Sequence, residues 1–327
     1  MKKLIEQFTI QLQEAIHIGA SFSLDSHKKN YRQLYICGLG GSGIGGSIIQ
    51  DYVYDKINIP CSVSKEYRIA KSVNAHTLFI ACSYSGNTEE TIMALQQAIK
   101  AKAQTVCISS GGKLLEIAKK NKIPFIQIPG GMPPRACIGY SITQLLYILK
   151  VAGLLSISVK NEITKCIQQI DKNTKQMQTE AKKIAKLLYQ QRIGLYTIAG
   201  YEGLAIRAKQ QLQENSKVLC WHNVIPEMTH NEILGWRSEH RDTCILFIYP
   251  ENIYIQNAKR LKVMKDIVKK YKAKTIDISL KGESYWQQVF NFIHLSDWVS
   301  VYLADLNKQD ANDIDIINKL KKYVGEK

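Results

Sequence analysis

The chain alternates short apolar runs with longer amphipathic stretches. Four runs read "LYICG", "TLFIACS", "QTVCIS" and "PFIQIP", and they begin at residues 34, 77, 104 and 124. Their apolar residues are nearly continuous, which is typical of strands that are covered on both faces. Helix-like or turn-rich sequence follows each run. The pattern therefore predicts an α/β fold in which helices flank a parallel sheet on either side.

The same order of elements returns in the second half of the chain. "IGLYTIAGYEGLAIRAKQQLQEN" follows the pattern of "LYICGLGGSGIGGSIIQDYV", and "TCILFIYPENIYIQNAKRL" follows that of "TLFIACSYSGNTEETIMAL". A polar helical connector separates the two halves. Length and repetition together predict two α/β domains with a boundary between residues 150 and 190. We assign residues 1–155 to the first domain and 156–327 to the second.

Two apolar segments could be mistaken for targeting or membrane sequences. "MKKLIEQFTIQLQEAIHIGA" mixes apolar residues with Glu and Gln, which favours an amphipathic helix over a signal peptide. "SITQLLYILKVAGLLSISV" carries Gln144 and Lys150 near its middle. We therefore expect a buried helix there, and no membrane span.

Cysteine usage and charge narrow the class of protein further. The eight cysteines are scattered singly, without a Cys-x-x-Cys pair, which predicts reduced thiols in a cytoplasmic protein. The formal net charge is +16, but the lysines are spread over helix faces and form no aromatic-interleaved patch. We expect no binding of nucleic acid, and we expect the charge to attract an anionic substrate.

Hydroxyl-rich loops follow two of the predicted strands. "GLGGSGIGG" contains Gly41 and Ser42, and "SYSGNTEET" contains Ser83, Ser85 and Thr88. Because loops at the carboxyl ends of parallel strands open at one edge of a sheet, we expect these donors to bind a phosphate. The second half of the chain lacks these hydroxyls in the corresponding loops.

Two other interpretations of these loops stay open at this stage. The hydroxyls could merely cap the helix that begins near Glu89, although a cap needs one hydroxyl and this loop has three. A dinucleotide site would need an acidic residue at the end of the next strand, and Glu66 is poorly spaced for that role.

Three further elements carry candidate chemistry. "GGMPPRACIGYS" holds Arg135 behind two prolines, where a fixed guanidinium could stabilise oxyanion charge. "QQLQENSK" places Glu214 near a helix end, and "PEMTHNEILGW" contains His230. A single glutamate on a helix is usually solvated, and a single histidine is usually structural.

Taken in order, these elements resemble the bifunctional phosphoglucose/phosphomannose isomerases of the sugar isomerase (SIS) superfamily. The resemblance covers nearly the whole chain and includes the tail "INKLKKYV". It implies two SIS domains, each with a five-stranded parallel sheet, and a homodimer with active sites near the subunit interface. It also implies a sugar 6-phosphate substrate and an aldose-ketose isomerisation through a cis-enediolate.

The resemblance assigns roles to the matching positions. The 6-phosphate would contact Gly41, Ser42, Ser83, Ser85 and Thr88. Arg135 would stabilise the enediolate, Glu214 would be the base, and His230 of a partner subunit would open the sugar ring. Lys321 matches the family's C-terminal lysine, with Lys322 as the neighbouring alternative.

The sequence departs from the family pattern at two positions. Thr229 stands where an asparagine usually precedes the histidine, and Asn312 stands where the tail commonly has threonine. The seven histidines form no set of zinc ligands, so we expect a metal-independent enzyme without a cofactor. The alternatives are an amino-sugar phosphate isomerase of the same superfamily and a non-catalytic sugar-phosphate regulator.

Overall fold

The computed structural model describes residues 1–24 and 30–324 of the chain. Helices α1 to α11 are Lys2–Glu6, Phe8–Ala20, Gly40–Val53, Glu89–Lys100, Gly112–Lys120, Ile138–Val151, Val159–Leu188, Glu202–Ser216, Ile255–Lys270, Tyr285–Leu306 and Asp315–Val324. Strands β1 to β9 are Gln33–Cys37, Cys61–Ser64, Thr77–Cys82, Gln104–Ser109, Phe125–Gln127, Arg192–Ile198, Cys220–Ile225, Thr243–Pro250 and Lys274–Leu280. Short 3₁₀ helices are Pro134–Ala136, Glu227–His230 and Glu232–Gly235.

The chain divides into two compact units. The C-terminal unit consists of Met1–Glu6 and Lys165–Asp313, and the N-terminal unit consists of Gln7–Thr164 and Ile314–Lys327. Each unit therefore contains a short segment from the opposite end of the chain. The division at residues 155 and 156 stays a sequence-based prediction.

The N-terminal unit is built on a five-stranded parallel sheet in the order β2-β1-β3-β4-β5. Every residue of β3 is buried, as its apolar run predicts for a central strand. Tyr35 and Phe79 stack in the core at a ring-centroid distance of 5.3 Å. The chain leaves β1 toward β2 on one side and returns as β3 on the other. The loops after β1 and β3 consequently open at the switch point of the sheet, where α/β folds bind ligands.

The C-terminal unit repeats this topology with one strand fewer. Its described residues form a parallel sheet in the order β7-β6-β8-β9. The prediction of five strands in both sheets is therefore wrong for this one. In the N-terminal unit, α5 and β5 lie between β4 and α6, whereas β9 ends at Leu280 and α10 begins at Tyr285. The intervening residues are too few for a helix and a strand.

The apolar segment of α6 forms a buried helix, as the sequence predicts. All residues from Ile138 to Leu149 are buried, and the amide of Gln144 donates to the carbonyl of Ala15 at 2.9 Å. The N-terminal segment forms two helices that break at Gln7, where we expected one. Among the described residues, no helix is long and apolar enough to cross a membrane.

Candidate active site

The glycine turn after β1 begins α3 and carries Ser42. The side chain of Ser42 is buried, and its Oγ accepts a hydrogen bond from the backbone N–H of Tyr84 at 2.9 Å. A Cβ on Gly41 would lie 2.7 Å from the carbonyl oxygen of Pro134 and 3.1 Å from the nitrogen of Arg135. Only glycine allows this close approach. The turn therefore touches both the loop after β3 and the backbone of the Arg135 turn.

The loop after β3 holds its hydroxyl groups by bonds among themselves. The Oγ of Ser83 lies 2.9 Å from the Oγ1 of Thr88 and accepts from the N–H of Gly86 at 3.1 Å. The Oγ of Ser85 accepts from the N–H of Asn87 at 3.3 Å, and its side chain is exposed. Ser83 and Thr88 are thus fixed inside the loop, while Ser85 faces solvent.

Helix capping does not explain these hydroxyls. Thr88 is the N-cap residue of α4, and its side chain makes no capping hydrogen bond. The side chain of the preceding residue, Asn87, accepts from the N–H of Lys113, the second residue of α5. The interpretation that the loop only caps α4 is therefore wrong. The N-terminal N–H groups of α4 keep their partial positive charge beside the hydroxyls, an arrangement that favours an anion.

Tyr84 connects three loops at this edge of the sheet. Its phenol oxygen accepts a hydrogen bond from the N–H of Met132 at 3.0 Å, and its carbonyl accepts from the Oγ of Ser110 at 2.7 Å. Burial raises the pKa of the Tyr84 phenol, so the group stays neutral at physiological pH. Sequence reasoning missed Tyr84 as the residue that connects these loops. The available sequence signal was its position between Ser83 and Ser85.

Arg135 is the middle residue of the 3₁₀ helix Pro134–Ala136, which begins at the second of the two prolines, and only 5% of its surface is exposed. The amide of Gln11 in α2 binds the backbone that follows Arg135. It donates to the carbonyl of Ala136 at 2.8 Å and accepts from the N–H of Gly139 at 2.9 Å. The backbone of Arg135 is therefore fixed in contact with the glycine turn.

Glu214 lies in the last turn of α8 and is half-buried. Its neighbours attach this turn to α10. The amide of Asn215 donates to the Oγ of Ser300 at 2.9 Å, and the Oγ of Ser216 donates to the carbonyl of Ser300 at 2.6 Å. These two contacts to Ser300 attach the end of α8 to α10.

A buried ion pair fixes the middle of α8 against α10. Arg207 donates to both carboxylate oxygens of Asp297, at 2.9 and 3.2 Å, and Gln211 donates to the same carboxylate at 2.6 Å. Burial raises the pKa of Asp297, and the charge of Arg207 opposes that effect. Breaking a buried pair of this kind costs about 3–5 kcal/mol, so α8 has little freedom to shift along α10.

His230 lies at the end of the 3₁₀ helix after β7 and is exposed. Hydrogen bonds explain why a threonine fits at position 229, directly before His230. The hydroxyl of Thr229 donates to the carbonyl of Pro226 at 2.6 Å and accepts from Arg260 at 2.8 Å. These bonds hold the backbone of the 3₁₀ helix next to His230.

Glu232 anchors the same segment to the sheet. Its carboxylate accepts hydrogen bonds from the phenol of Tyr196, from Trp221 Nε1 at 2.9 Å and from Asn223 Nδ2 at 2.6 Å. Burial and the Glu232 carboxylate raise the pKa of Tyr196, which keeps the phenol as a donor. Sequence reasoning assigned no role to Glu232 and missed this anchor.

The remaining predicted residues lie on the C-terminal helix. Lys321 and Lys322 are exposed residues of α11, and Asn312 lies in the turn that leads to it, where its N–H donates to Asp310 at 2.8 Å. The structure thus brings the five predicted phosphate ligands and the Arg135 turn together in the N-terminal unit. Glu214 and His230 lie on separate elements of the C-terminal unit.

The described residues contain no group of three or more His, Cys, Asp or Glu side chains that could hold a metal ion. Loops at the switch point of one parallel sheet can bind an anion, and a carboxylate and an imidazole can transfer protons. This combination of fold and residues defines the class of SIS-domain sugar isomerases.

Comparison with known proteins supports this class and specifies the family. The family model of the bacterial phospho-glucose isomerase C-terminal SIS domain matches residues 177–324. A putative phosphosugar isomerase from Clostridium difficile has the same fold, with a TM-score of 0.78 at 17% identity over 98% of this chain and 97% of that one.

Two curated relatives carry the same description, bifunctional phosphoglucose/phosphomannose isomerase. The one from Caldicellulosiruptor bescii is 35% identical over 97% of this chain and 96% of its own length. The one from Aquifex aeolicus is 32% identical over 89% of this chain and 90% of its own length. The chain belongs to the bifunctional phosphoglucose/phosphomannose isomerase family, and it is an isomerase.

Proposed function

We propose that this protein interconverts glucose 6-phosphate and mannose 6-phosphate with fructose 6-phosphate. Membership of the family supports the reaction class. The observation that carries the proposal is a cluster of hydroxyl groups at the switch point of the first sheet, which do not serve as caps of α4. Ser42, Ser83, Ser85 and Thr88 surround the N-termini of α3 and α4, where a phosphate monoester binds favourably.

The 6-phosphate lies at the end of the sugar opposite the reacting carbons. Its charge-assisted hydrogen bonds are worth about 1.5–3 kcal/mol each, and they hold the substrate without taking part in the chemistry. This remote binding energy positions C1 and C2 for proton transfer. Tyr84 and Gly41 support the assignment, because both join the phosphate loops to the turn that carries Arg135.

Glu214 is the base in the proposed mechanism. Its carboxylate removes the C2 proton of the open-chain aldose and returns a proton to C1, while the hydroxyl hydrogen moves from O2 to O1. The cis-enediolate between these steps is planar at C2. Glucose 6-phosphate and mannose 6-phosphate differ only at that carbon, so a site that reprotonates either face serves both. The attachment of α8 to α10 supports a fixed base.

The other proposed residues act before and during proton transfer. Arg135 stabilises the negative charge of the enediolate. His230, from a partner subunit, opens the sugar ring by general acid-base catalysis, and its exposure suits a contact with another chain. Lys321, or Lys322 beside it, completes the site from α11.

We propose a homodimer in which a second copy of the chain covers α11. Ile316, Leu320 and Tyr323 recur at helical spacing and are 84%, 61% and 89% exposed. Such an apolar face is unfavourable in water, and we take a second copy of the chain, the partner that the family resemblance implies, as the surface that covers it. The eight cysteines are free thiols, which agrees with a reducing cytoplasm.

A coupled assay tests the function. Purified protein is supplied with glucose 6-phosphate or mannose 6-phosphate, with and without EDTA, and fructose 6-phosphate is measured. We expect turnover of both hexose phosphates at rates that EDTA does not change. Loss of activity in EDTA that zinc restores would contradict the metal-independent mechanism. Turnover of glucosamine 6-phosphate alone would favour the amino-sugar isomerase, and tight binding without turnover of any sugar would favour the regulator.

A further inference from the structure

Lys217 follows the last residue of α8 and adopts the left-handed conformation with φ of 57°. Its ammonium group donates to the carbonyl oxygen of Glu214 and to the carbonyl oxygen of Asp313, the second bond measuring 2.8 Å. The two acceptors are 99 residues apart in the sequence, by subtraction of their numbers. A single side chain thus joins the backbone of the proposed base to the segment that precedes α11.

The bond to Glu214 completes the end of the helix. The last four carbonyl groups of an α-helix have no partner within it, and their partial negative charge attracts a cation. The ammonium group of Lys217 fills this role at the residue whose carboxylate is the proposed base. A change at Lys217 should therefore alter the position of Glu214 directly.

A second bond attaches the same end of α8 to the connection between α10 and α11. The amide of Asn307 donates to the carbonyl of Ser216 at 3.0 Å. The connection is therefore attached to the end of α8 at two points. Asn307 lies near its start, and Asp313 lies at its end, two residues before α11 begins. These attachments fall on Ser216 and Lys217, the second and third residues after Glu214.

We infer that Lys217 is a positioning residue. It couples the location of Glu214 to that of Asp313, which lies two residues before α11, the helix that carries Lys321. The inference rests on the proposed function, because it takes Glu214 as the base. A displacement of the Asp313 backbone would therefore shift the ammonium group of Lys217, and with it the backbone of Glu214. Neither the family assignment nor the proposed mechanism gives Lys217 a role.

The conformation of Lys217 alone does not single it out. Lys102, Lys122, Lys272 and Lys308 also have positive φ, between 54° and 63°, at the ends of helices. What distinguishes Lys217 is the pair of carbonyl groups to which its ammonium group donates. The other lysines serve as matched controls, and Lys272 is the best of them because it lies in the same unit with φ of 63°.

The test compares Lys217→Met and Lys217→Gly with Lys272→Met and Lys272→Gly. Methionine keeps an unbranched side chain and removes the donors. Glycine removes the donors and also relieves the left-handed backbone, so it should preserve or raise the melting temperature. We expect kcat for fructose 6-phosphate to fall about 10-fold or more in both Lys217 variants, with KM within about 3-fold of wild type. Lys217→Arg, which can still donate, should recover part of kcat.

Hydrogen exchange in α11 distinguishes the proposed coupling from a role of Lys217 in capping α8 alone, because loss of the cap would not change exchange in α11. Amides of α11, at Asp315–Val324, should exchange faster in Lys217→Met than in Lys272→Met. Wild-type kcat in both Lys217 variants would overturn the inference, and so would unchanged exchange in α11. If Glu214→Gln also keeps full turnover, Glu214 is not the base; if the wild-type protein does not convert fructose 6-phosphate, the proposed function itself fails. If Glu214→Gln is inactive while Lys217→Met is unaffected, only the coupling is wrong.

Discussion

The phenol oxygen of Tyr84 accepts a hydrogen bond from the backbone N–H of Met132 at 3.0 Å. This bond joins the hydroxyl loop after β3 to the segment that leads into Arg135. In the proposed mechanism the two ends of the substrate contact these two segments. Their separation therefore sets how the reacting carbons lie relative to the guanidinium group when the phosphate is bound.

Tyr84→Phe should lower kcat/KM about 10-fold. The substitution leaves the N–H of Met132 without its acceptor, which costs about 1–3 kcal/mol and loosens the Arg135 turn. Steady-state kinetics and thermal unfolding measure the two effects. Tyr35→Phe is the control, because the phenol of Tyr35 likewise accepts a backbone N–H, that of Ala70. Equal kinetic losses in both variants would mean that the effect is general destabilisation.

Ser85→Ala should weaken binding of the phosphate with little effect on the fold. The side chain of Ser85 is exposed, and its only bond within the loop is the long one from Asn87. We expect KM for glucose 6-phosphate to rise about 10-fold, since one charge-assisted hydrogen bond is lost, and kcat to change little.

The inhibition constant of inorganic phosphate checks the Ser85 assignment independently of the sugar. It should rise in Ser85→Ala by a factor similar to that of KM. Ser72→Ala, at another exposed serine of the same unit, should change neither constant. An unchanged inhibition constant for Ser85→Ala would remove Ser85 from the phosphate site.

Much of the first sheet is predictable from local pattern. The apolar run of β3 defines a central strand, and the glycines and hydroxyls after β1 and β3 mark the edge of the sheet at which we propose that the phosphate binds. The contacts that join these loops are not predictable in this way. Tyr84 meets Met132 48 residues later in the sequence, and Glu232 meets Tyr196 on a neighbouring strand. Such pairs depend on tertiary packing, which leaves no periodic signal in a single sequence.

The prediction of a fifth strand in the second sheet was an error of another kind, because it relied on analogy between the two halves of the chain. The resemblance implied two equal sheets, but the chain between β9 and α10 is only four residues long, from Lys281 to Ser284. Ser284 and Gln287 form a capping box that starts α10 immediately. The Ser-x-x-Gln spacing was visible in the sequence and outweighs the analogy between the halves.

His294 should make the protein less stable in mild acid. Burial lowers the pKa of this histidine to about 4, and its Nε2 accepts a hydrogen bond from Trp298. In the unfolded chain its pKa is about 6.5, so the unfolded state binds the extra proton between these values. The free energy of unfolding therefore falls as the pH drops from about 6.5 to about 4, by roughly 3 kcal/mol from this group.

Denaturant unfolding at pH 7 and at pH 4.5 measures this dependence. His294→Gln keeps a polar acceptor and does not titrate, so its stability should fall less steeply with acid than that of wild type. Carboxylates also titrate in this range, and they contribute equally to both proteins. The same slope in wild type and in His294→Gln would contradict the assignment.

Leu320→Lys should dissociate the proposed dimer. The substitution places a charge in the exposed apolar face of α11, and a lysine buried in an interface is strongly unfavourable. Light scattering should give the mass of a single chain for this variant and twice that mass for wild type. Asn318→Lys, on the same helix outside the apolar spacing, should leave the mass unchanged. A monomeric wild-type protein would contradict the dimer.

Glu214→Gln should abolish isomerisation while leaving substrate binding nearly intact. An amide cannot take the C2 proton, and a general base contributes about 10²–10⁴-fold to the rate. Solvent-proton exchange at C2, followed by NMR, measures the proton transfer directly, and calorimetry measures binding. Glu202→Gln changes a carboxylate in the first turn of the same helix and should retain both activities. Because the phosphate loops lie in the N-terminal unit, loss of the base and loss of binding should separate. Wild-type exchange at C2 in Glu214→Gln would assign the proton transfer to another group.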